Sequence, residues 1–330
     1  MKCLFPRRIK NPNYNPLAVL DRHRERYITV PCGRCYACRN RKRSEWILRL
    51  KHHLQFYPRA YMITLTYDDE HLPKKDGEPC FRYRDVQLFM KRLRKRFTGQ
   101  KLSYFVVGEF GDKFGRPHYH LLLFNLPKIK NHVKVQHFLS DIWQNGFVHS
   151  GILTSRGITY TVKYCFKSYV ENACRCNTST VDILNNIMYG TPLPDLPKEF
   201  KEFHRCSTKP FIGYDYVEKY KESYRREPET GVIFDINGYC FSIPRIYVDR
   251  IYKQDESLYE EFLDSRIQLA KSESKKALFE HISILRECDL LLQDGCISLD
   301  DYKYRTNDPF YLEQELTNYE IKKRKEKSKL

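Results

Sequence analysis

The stretch from residue 103 to residue 124 most constrains how this chain can fold. Two runs rich in apolar and β-branched residues, SYFVVGEF (103–110) and HYHLLLF (118–124), are separated by the short connector GDKFGRP. Short connectors that contain glycine typically join antiparallel strands. We therefore predict an antiparallel pair of strands here, around which the remaining elements must be arranged.

The flanking sequence adds two further strands and several helices. The β-branched and aromatic run YMITLTY (61–67) and the segment FVHSGIL (147–153) predict strands. Apolar residues at helical spacing predict helices at 44–55, 86–97, 133–144 and 158–170. Asp85 is predicted to cap the second of these helices. An antiparallel β-sheet with helices packed on one face is an α+β architecture of two layers.

The chain divides into four predicted regions. They are a basic, cysteine-containing N-terminal segment (1–58), the core of sheet and helices (59–176), a mixed extension of strands and turns (177–250) and a charged helical C-terminal region (251–330). Within the extension, the Asn-Gly dipeptide of VIFDINGYCFSI predicts a hairpin turn.

Positive charge is concentrated at the N-terminus of a strongly basic chain. The formal net charge is +17, and residues 1–60 hold 15 Lys and Arg against three Asp and Glu. Aromatic residues are interleaved with these cations, a mixture that suits phosphate contacts and base stacking. We therefore expect nucleic acid as the partner of this segment. The candidate DNA-binding residues are Arg34, Arg39, Arg41, Lys42 and Arg43.

No part of the sequence predicts a membrane segment or a secretory signal. No apolar run approaches the roughly 18 residues that a membrane-spanning helix requires. The basic start MKCLFPRRIKNPNYNP is not followed by the apolar core of a signal peptide. We therefore expect a soluble intracellular protein that does not act at a membrane.

Closely spaced cysteines leave three alternatives open. The segment PCGRCYAC places Cys32, Cys35 and Cys38 at intervals of three, and Cys3 can supply a fourth thiolate. A structural zinc site needs four such ligands. An iron–sulfur cluster also uses a run of cysteines, although a further cysteine a few residues on is missing here. The third alternative is that small buried thiols have gathered beside a turn.

Two histidines share one face of a predicted strand. His118 and His120 project the same way because side chains at i and i+2 lie on one face. Antiparallel pairing would bring Glu109, at the end of the preceding strand, toward His118. Two imidazoles and a carboxylate can hold a divalent ion and leave positions open for water or phosphate oxygens. The alternative is that these histidines are ordinary core or surface residues.

The segment YTVKYCFK (160–167) carries two tyrosines and a lysine at helical spacing. Steps of four and seven residues place Tyr160, Tyr164 and Lys167 on a shared helix face. An amphipathic helix with half-buried tyrosines would produce the same pattern. A phenol is a weak nucleophile at neutral pH unless a cation or metal stabilises its negative charge. Beside a metal site, these residues fit phosphoryl transfer, in which a tyrosine attacks a phosphodiester.

Together these motifs resemble the HUH endonucleases, the rolling-circle replication initiators with paired histidines. The resemblance lies in ITLTYDDEHLP (63–73), VGEFGDKFGRPHYHLLLF (107–124) and YTVKYCFK. The segments PCGRCYACRNRKRSEW, FMKRLRKRF, STKPFIG and IPRIY are similar to the initiators of gokushovirus-type microviruses, which are small single-stranded DNA phages. The resemblance covers most of residues 1–250 and is poor beyond them.

The resemblance also implies roles for individual residues. The paired histidines would be metal ligands, with Glu109 as the acidic third ligand and Mg²⁺ or Mn²⁺ as the ion. Tyr160 and Tyr164 would be the paired nucleophiles, accompanied by Lys167. Such enzymes nick one strand of the replicative form at the origin, keep the 5′ phosphate on tyrosine and release a 3′ hydroxyl as primer.

The implied partners are phage DNA, single-stranded and replicative-form, and host replication proteins in the bacterial cytoplasm. The chain has no GxxxxGK[ST] phosphate-binding loop. Unwinding would therefore need a host helicase, alongside host polymerase and single-strand-binding protein. Two alternatives remain: a non-catalytic, zinc-containing DNA-binding or packaging protein, and a transposase or relaxase with the same chemistry.

Overall fold

A computed structural model describes residues 6–17, 21–33, 36–111, 115–127, 132–164, 197–228 and 232–269, together with Cys3 and Ser272. The chain falls into two compact units. The smaller unit comprises Met1–Cys32, Pro228–Gly231 and Asp255–Leu330, and the larger unit comprises Gly33–Glu227 and Val232–Gln254. The predicted sheet belongs to the larger unit.

The described residues form short and long elements in both units. The strands are β1 (Arg7–Lys10), β2 (Tyr27–Val30), β3 (Ala60–Tyr67), β4 (Lys74–Lys75), β5 (Glu78–Pro79), β6 (Ser103–Phe110), β7 (Pro117–Phe124), β8 (Gly146–Ile152), β9 (Phe203–Cys206), β10 (Val232–Phe234) and β11 (Cys240–Ser242). The helices are α1 (Asp21–Arg24), α2 (Tyr36–Phe56), α3 (Tyr83–Arg96), α4 (His132–Trp143), α5 (Ser155–Tyr164), α6 (Tyr214–Arg226) and α7 (Arg245–Ile251), with a 3-10 turn at Lys198–Phe200.

The larger unit is built on an antiparallel sheet in the strand order β8-β3-β7-β6-β9. The predicted strand pair forms β6 and β7, and the two further predicted strands form β3 and β8. Strand β9 adds an edge next to β6. The predicted α+β class with an antiparallel sheet is therefore confirmed.

Helices cover both faces of this sheet. Apolar side chains of α3 and α4, including Phe89, Leu93 and Trp143, pack on one face. Leu50 of α2 and Val162 of α5 pack on the other. The structure thus adds a second helical layer to the predicted layer on one face. The run LLLF in β7 reflects this arrangement, because a strand buried on both faces needs apolar residues at consecutive positions.

The predicted helices agree with the structure best where their apolar stripe is long. Helix α4 agrees with the predicted range 133–144 within one residue at each end, whereas α2 begins eight residues before its predicted start at Ser44. Asp85 does not cap α3, because it lies in the first turn of that helix and Arg82 is the N-cap. The Asp85 carboxylate instead accepts hydrogen bonds from the Tyr67 hydroxyl (2.6 Å) and Arg82 Nε (2.8 Å).

The predicted hairpin turn is confirmed in the larger unit. Strands β10 and β11 pair antiparallel on either side of it. Gly238, the glycine of the Asn-Gly dipeptide, has a φ of 78°, in the left-handed region that favours glycine.

The smaller unit contains the antiparallel pair β1–β2 and a helical stretch at 256–269. The Arg8 guanidinium lies over the Tyr27 ring, 5.0 Å from its centroid. The predicted domain boundaries stay predictions, and most of the predicted helical region 251–330 lies outside the described residues. Within the described ranges, no helix combines the length and apolar character needed to cross a membrane.

Candidate metal centre and nucleophile

Pairing between β6 and β7 brings the predicted carboxylate and imidazoles together. Glu109 lies directly opposite His118 in the antiparallel register, and His120 lies on the same face of β7. Glu109 Oε1 and His120 Nε2 are 3.1 Å apart and form a hydrogen bond. Glu109 and His120 are both buried, with 7% and 8% of their surfaces exposed.

Two threonines of β3 hold the far side of both imidazoles. Thr66 Oγ1 lies 3.0 Å from His118 Nδ1, and Thr64 Oγ1 lies 3.2 Å from His120 Nδ1. The register of β3 against β7 causes this, because it pairs Thr66 with His118 and Thr64 with His120. Each histidine is therefore fixed at Nδ1, which leaves Nε2 as the nitrogen available to a ligand.

Two features leave room for a cation beside these groups. The second carboxylate oxygen of Glu109, Oε2, is buried and has no hydrogen-bond partner among the described residues. Such a buried acceptor is costly unless a donor or cation compensates it. A Cβ atom on Gly111 would lie 2.6 Å from His118 Nε2, so the glycine keeps the space beside that nitrogen open.

The environment of His118 favours the neutral imidazole that metal binding requires. Burial lowers its pKa, and the charges of His120 and Arg116 lower it further, while the charge of Glu109 opposes this. A neutral imidazole can donate its lone pair to a metal, whereas a protonated one cannot.

These residues fit a divalent cation with nitrogen and oxygen ligands. They are not equally close to one another. The ligand atoms of Glu109, His118 and His120, all in the described part of the chain, do not all lie within 4.8 Å of one another. Glu109 and His120 form the close pair, and His118 lies beside it. The choice of Mg²⁺ or Mn²⁺ stays a prediction.

Helix α5 brings Tyr160 to this cluster. The Tyr160 ring stands edge-on to the His120 ring, with 6.3 Å between centroids and 84° between planes. Ile158 and Val162 on the inner side of α5 are fully buried, whereas the Tyr160 side is 49% exposed. Tyr164, one turn further on, is the last residue of α5. Its side chain and the whole of Lys167 lie outside the described residues.

Most of the predicted DNA-binding cations lie on the first turns of α2. Arg41 and Lys42 are exposed, and Arg39 and Arg43 are partly buried. Arg34 lies outside the described residues. These cations therefore belong to a helix and not to an irregular segment.

The basic turns of α2 lie at the Glu109 end of the sheet. The Trp46 ring is 4.9 Å from the Phe105 ring of β6. Two turns later, His53 Nε2 is 2.7 Å from Ser103 Oγ at the start of β6. Helix α2 thus runs antiparallel to β6, so the residues before Trp46 extend toward the strand end that carries Glu109.

The predicted cysteine cluster is described only in part. In the smaller unit, the backbone N–H of Cys32 donates to Cys3 Sγ at 3.1 Å. In the larger unit, Cys38 is buried in α2. Cys35 lies outside the described residues. Structural zinc at these cysteines stays a prediction.

The sequence prediction missed three residues that support the site: Thr64, Thr66 and Gly111. The Thr-Leu-Thr spacing of β3 matches the His-Tyr-His spacing of β7, and this match was the available signal. Which side chains face one another, however, depends on strand register, which local sequence does not specify.

The fold and the site define an HUH-like protein: an antiparallel α+β core whose central strand carries paired histidines. Residues 60–169 match a family described as the replication-associated protein ORF2. The replication-associated protein ORF2 of Spiroplasma virus 4 is 34% identical over 260 residues, which cover 74% of each chain. The chain belongs to this family of replication-associated proteins, and its resemblance to microvirus replication initiators is confirmed.

Two further relatives come from phages of other hosts. The replication-associated protein VP4 of Bdellovibrio phage phiMH2K is 29% identical over 263 residues, which cover 74% of each chain. The replication-associated protein ORF4 of Chlamydia phage 1 is 22% identical over 270 residues, which cover 76% of this chain and 61% of the relative. No solved structure matches the chain.

Proposed function

We propose that this protein initiates rolling-circle replication of a phage genome by nicking and rejoining one DNA strand through a phosphotyrosine intermediate. The observation that carries the proposal is the position of Tyr160, whose half-exposed ring lies edge-on to His120. A helix-borne phenol and a strand-borne ligand set thus face the same open space. Only such an arrangement lets one phosphate contact both.

Each residue of the site has a distinct task in this reaction. Glu109 and the Nε2 atoms of His118 and His120 would hold Mg²⁺ or Mn²⁺, which polarises the scissile phosphate. Tyr160 Oη loses its proton and forms a bond to phosphorus as the bond to the 3′ oxygen breaks. The 3′ oxygen leaves and takes up a proton from water. The 5′ phosphate remains on the tyrosine, which preserves a bond for later rejoining.

The second tyrosine would act when the origin has been copied. In this proposal Tyr164 cuts the regenerated origin, and the released 3′ hydroxyl attacks the first phosphotyrosine, which closes the circle and frees Tyr160. Lys167 would stabilise the negative charge on the phenol oxygen. Two nucleophiles one helical turn apart suit two successive cleavages at one metal site.

The basic turns of α2 would bind the strand that enters the site. Arg41 and Lys42 are exposed on the part of α2 that extends toward Glu109. Cations at this position attract the phosphate backbone. The partners in this proposal are single-stranded and replicative-form DNA at the origin, with helicase, polymerase and single-strand-binding protein supplied in the cytoplasm of the bacterial host.

Covalent attachment tests the proposal directly. Single-stranded oligonucleotides that tile the cognate phage genome are incubated with the full chain and Mn²⁺, and adducts that survive denaturation are resolved by electrophoresis. We expect one origin sequence to form an adduct. Tyr160→Phe and Tyr164→Phe should each retain some cleavage, and the double variant should retain none. Tyr239→Phe is a matched control, because Tyr239 is exposed but belongs to the β10–β11 hairpin.

Two outcomes would contradict the proposal. Full cleavage by the double tyrosine variant would refute the nucleophile assignment. Absence of any adduct, in folded protein that still binds single-stranded DNA, would favour a non-catalytic DNA-binding protein. The exposed cations of α2 would serve that second function equally well.

The ligand assignment has its own test. Replacing His118 and His120 with alanine should abolish metal-dependent nicking and leave most of the salt-sensitive DNA affinity, because that affinity comes from cations elsewhere. Anisotropy measurements over a range of salt concentrations separate the two effects. Undiminished nicking would move the metal to other residues.

A further inference from the structure

A cleft of about 610 Å³ opens in the larger unit at the end of the sheet remote from Glu109. It lies where α2 and α3 end and where β6 begins, next to the loop that follows β9. Its size is within the roughly 300–1,000 Å³ range of ligand-binding pockets. About six residues of β6 separate it from Glu109, which corresponds to roughly 20 Å of strand.

Cations from three segments converge on this cleft. Arg94 comes from the last turn of α3, Lys101 from the loop before β6, and Lys209 from the loop after β9. All three are exposed, and no lining residue is acidic. Within the described residues, none of the three forms an ion pair. Their positive charge is therefore available to an anionic ligand.

A buried histidine fixes a hydroxyl donor on the wall of the cleft. The backbone N–H of Gly213 donates to His53 Nδ1 at 3.3 Å, so a neutral His53 carries its proton on Nε2. That nitrogen then donates to Ser103 Oγ, 2.7 Å away. Burial lowers the pKa of His53 to about 4, which keeps the ring neutral at physiological pH. Since the Ser103 oxygen already accepts, its own hydrogen is directed to another partner.

We propose that this cleft binds a backbone phosphate of single-stranded DNA, as a second contact remote from the metal centre. The identification of the ligand as DNA rests on the proposed function. Three cations and an oriented hydroxyl donor match the charge and acceptor oxygens of a phosphodiester. At about 3.4 Å per stacked nucleotide, the distance from Glu109 corresponds to about six nucleotides.

The cleft would therefore set how the strand lies across the sheet. A strand held at both ends of β6 has a fixed direction and a defined register at the tyrosines. Such positioning contacts add affinity without reading base identity. Sequences longer than about six nucleotides should gain from the second contact, whereas shorter ones cannot reach it.

Anisotropy with labelled single-stranded DNA tests this inference on the full chain. Probes of 4 and 15 nucleotides, both containing the cleavage site, are compared with wild type and with the double variant Lys101→Ala/Lys209→Ala. The variant should bind the 15-mer about tenfold more weakly and the 4-mer unchanged. The slope of log affinity against log salt should fall by about 1.4, since each phosphate contact on a single strand contributes about 0.7.

Two further variants keep the test specific. Lys74→Ala/Lys91→Ala removes the same charge from exposed positions outside the cleft and should bind both probes like wild type. Ser103→Ala removes the hydroxyl donor without changing the charge, so the 15-mer affinity should fall while the salt slope stays the same. Thermal unfolding of each variant shows whether it is folded at the assay temperature.

The outcomes separate this inference from the proposed function. If wild type forms the covalent adduct but the Lys101/Lys209 variant binds the 15-mer with unchanged affinity and slope, the cleft is not a DNA contact. Inorganic phosphate that binds the wild type without weakening 15-mer binding would identify a free-phosphate site instead, and would also overturn the inference. Absence of the adduct in wild type overturns the proposed function, while the length-dependent binding can still be measured.

Discussion

Replacing Gly111 with alanine perturbs the space beside His118 without touching any ligand. The added Cβ atom would lie 2.6 Å from His118 Nε2 and 3.0 Å from its Cδ2 atom. Ordinary contacts of a Cβ atom are 3.4–4 Å, so the imidazole must move by about 0.8 Å or more. The movement also strains the 3.0 Å hydrogen bond that joins His118 Nδ1 to Thr66.

A shift of this size has a predictable effect on the rate. Misplacement of a reacting group by about 1 Å can lower a rate on the order of 100-fold. We therefore expect Gly111→Ala to slow Mn²⁺-dependent nicking by about 100-fold, which corresponds to about 3 kcal/mol in the activation barrier. DNA affinity should change little, because the cations of α2 are unaltered.

The assay is the initial rate of single-strand nicking on an origin oligonucleotide at saturating Mn²⁺. Gly151→Ala is the matched control, because Gly151 lies in β8 of the same sheet and a Cβ atom there meets nothing within 4 Å. A Gly111→Ala variant that folds normally and nicks within about threefold of wild type would refute the argument that this space serves the reaction.

Three further predictions concern the site and its supporting core. Replacing Thr64 and Thr66 with valine should weaken Mn²⁺ binding by about 10–100-fold, because both imidazoles lose their Nδ1 partner; calorimetric titration measures this, and unchanged affinity would contradict it. Burial lowers the pKa values of His52 and His53 to about 4, so the unfolded state binds more protons between pH 6.5 and pH 4. The free energy of unfolding should therefore fall as the pH is lowered through that window, by about 2 kcal/mol per histidine at pH 5; urea unfolding at pH 7 and pH 5 measures it, and a flat profile would contradict it. Phe89→Ala empties a fully buried ring position and should cost about 3–5 kcal/mol of unfolding free energy; a loss under about 1 kcal/mol would contradict the packing of α3 on the sheet.

The sequence predicts well those parts of the fold that local pattern controls. The strands at 61–67, 103–110 and 118–124 each combine β-branched or aromatic residues with a turn at one end, and all three appear within one residue. The pairing of Glu109 with His118 followed from the short connector between β6 and β7. A hairpin leaves little freedom of register, so its cross-strand neighbours can be anticipated.

Features that depend on distant segments could not be predicted in this way. Strand β9 pairs with β6 across nearly one hundred residues of sequence, and its four residues carry no strong strand pattern. The first two turns of α2 are polar and arginine-rich, so they show no apolar stripe from which a helix start could be read. The threonines behind the histidines required the register between β3 and β7, which joins segments more than fifty residues apart.

The threonines of β3 have a consequence for how the site changes state. A hydroxyl group rotates freely, and it can either donate to an unprotonated ring nitrogen or accept from a protonated one. Thr64 and Thr66 can therefore serve either tautomer of the imidazoles that they hold. A proton can transfer from Nε2 to Nδ1 while only two hydrogen atoms reorient and every strand stays in place. The empty and the occupied centre thus share one rigid scaffold, and loading requires no conformational rearrangement.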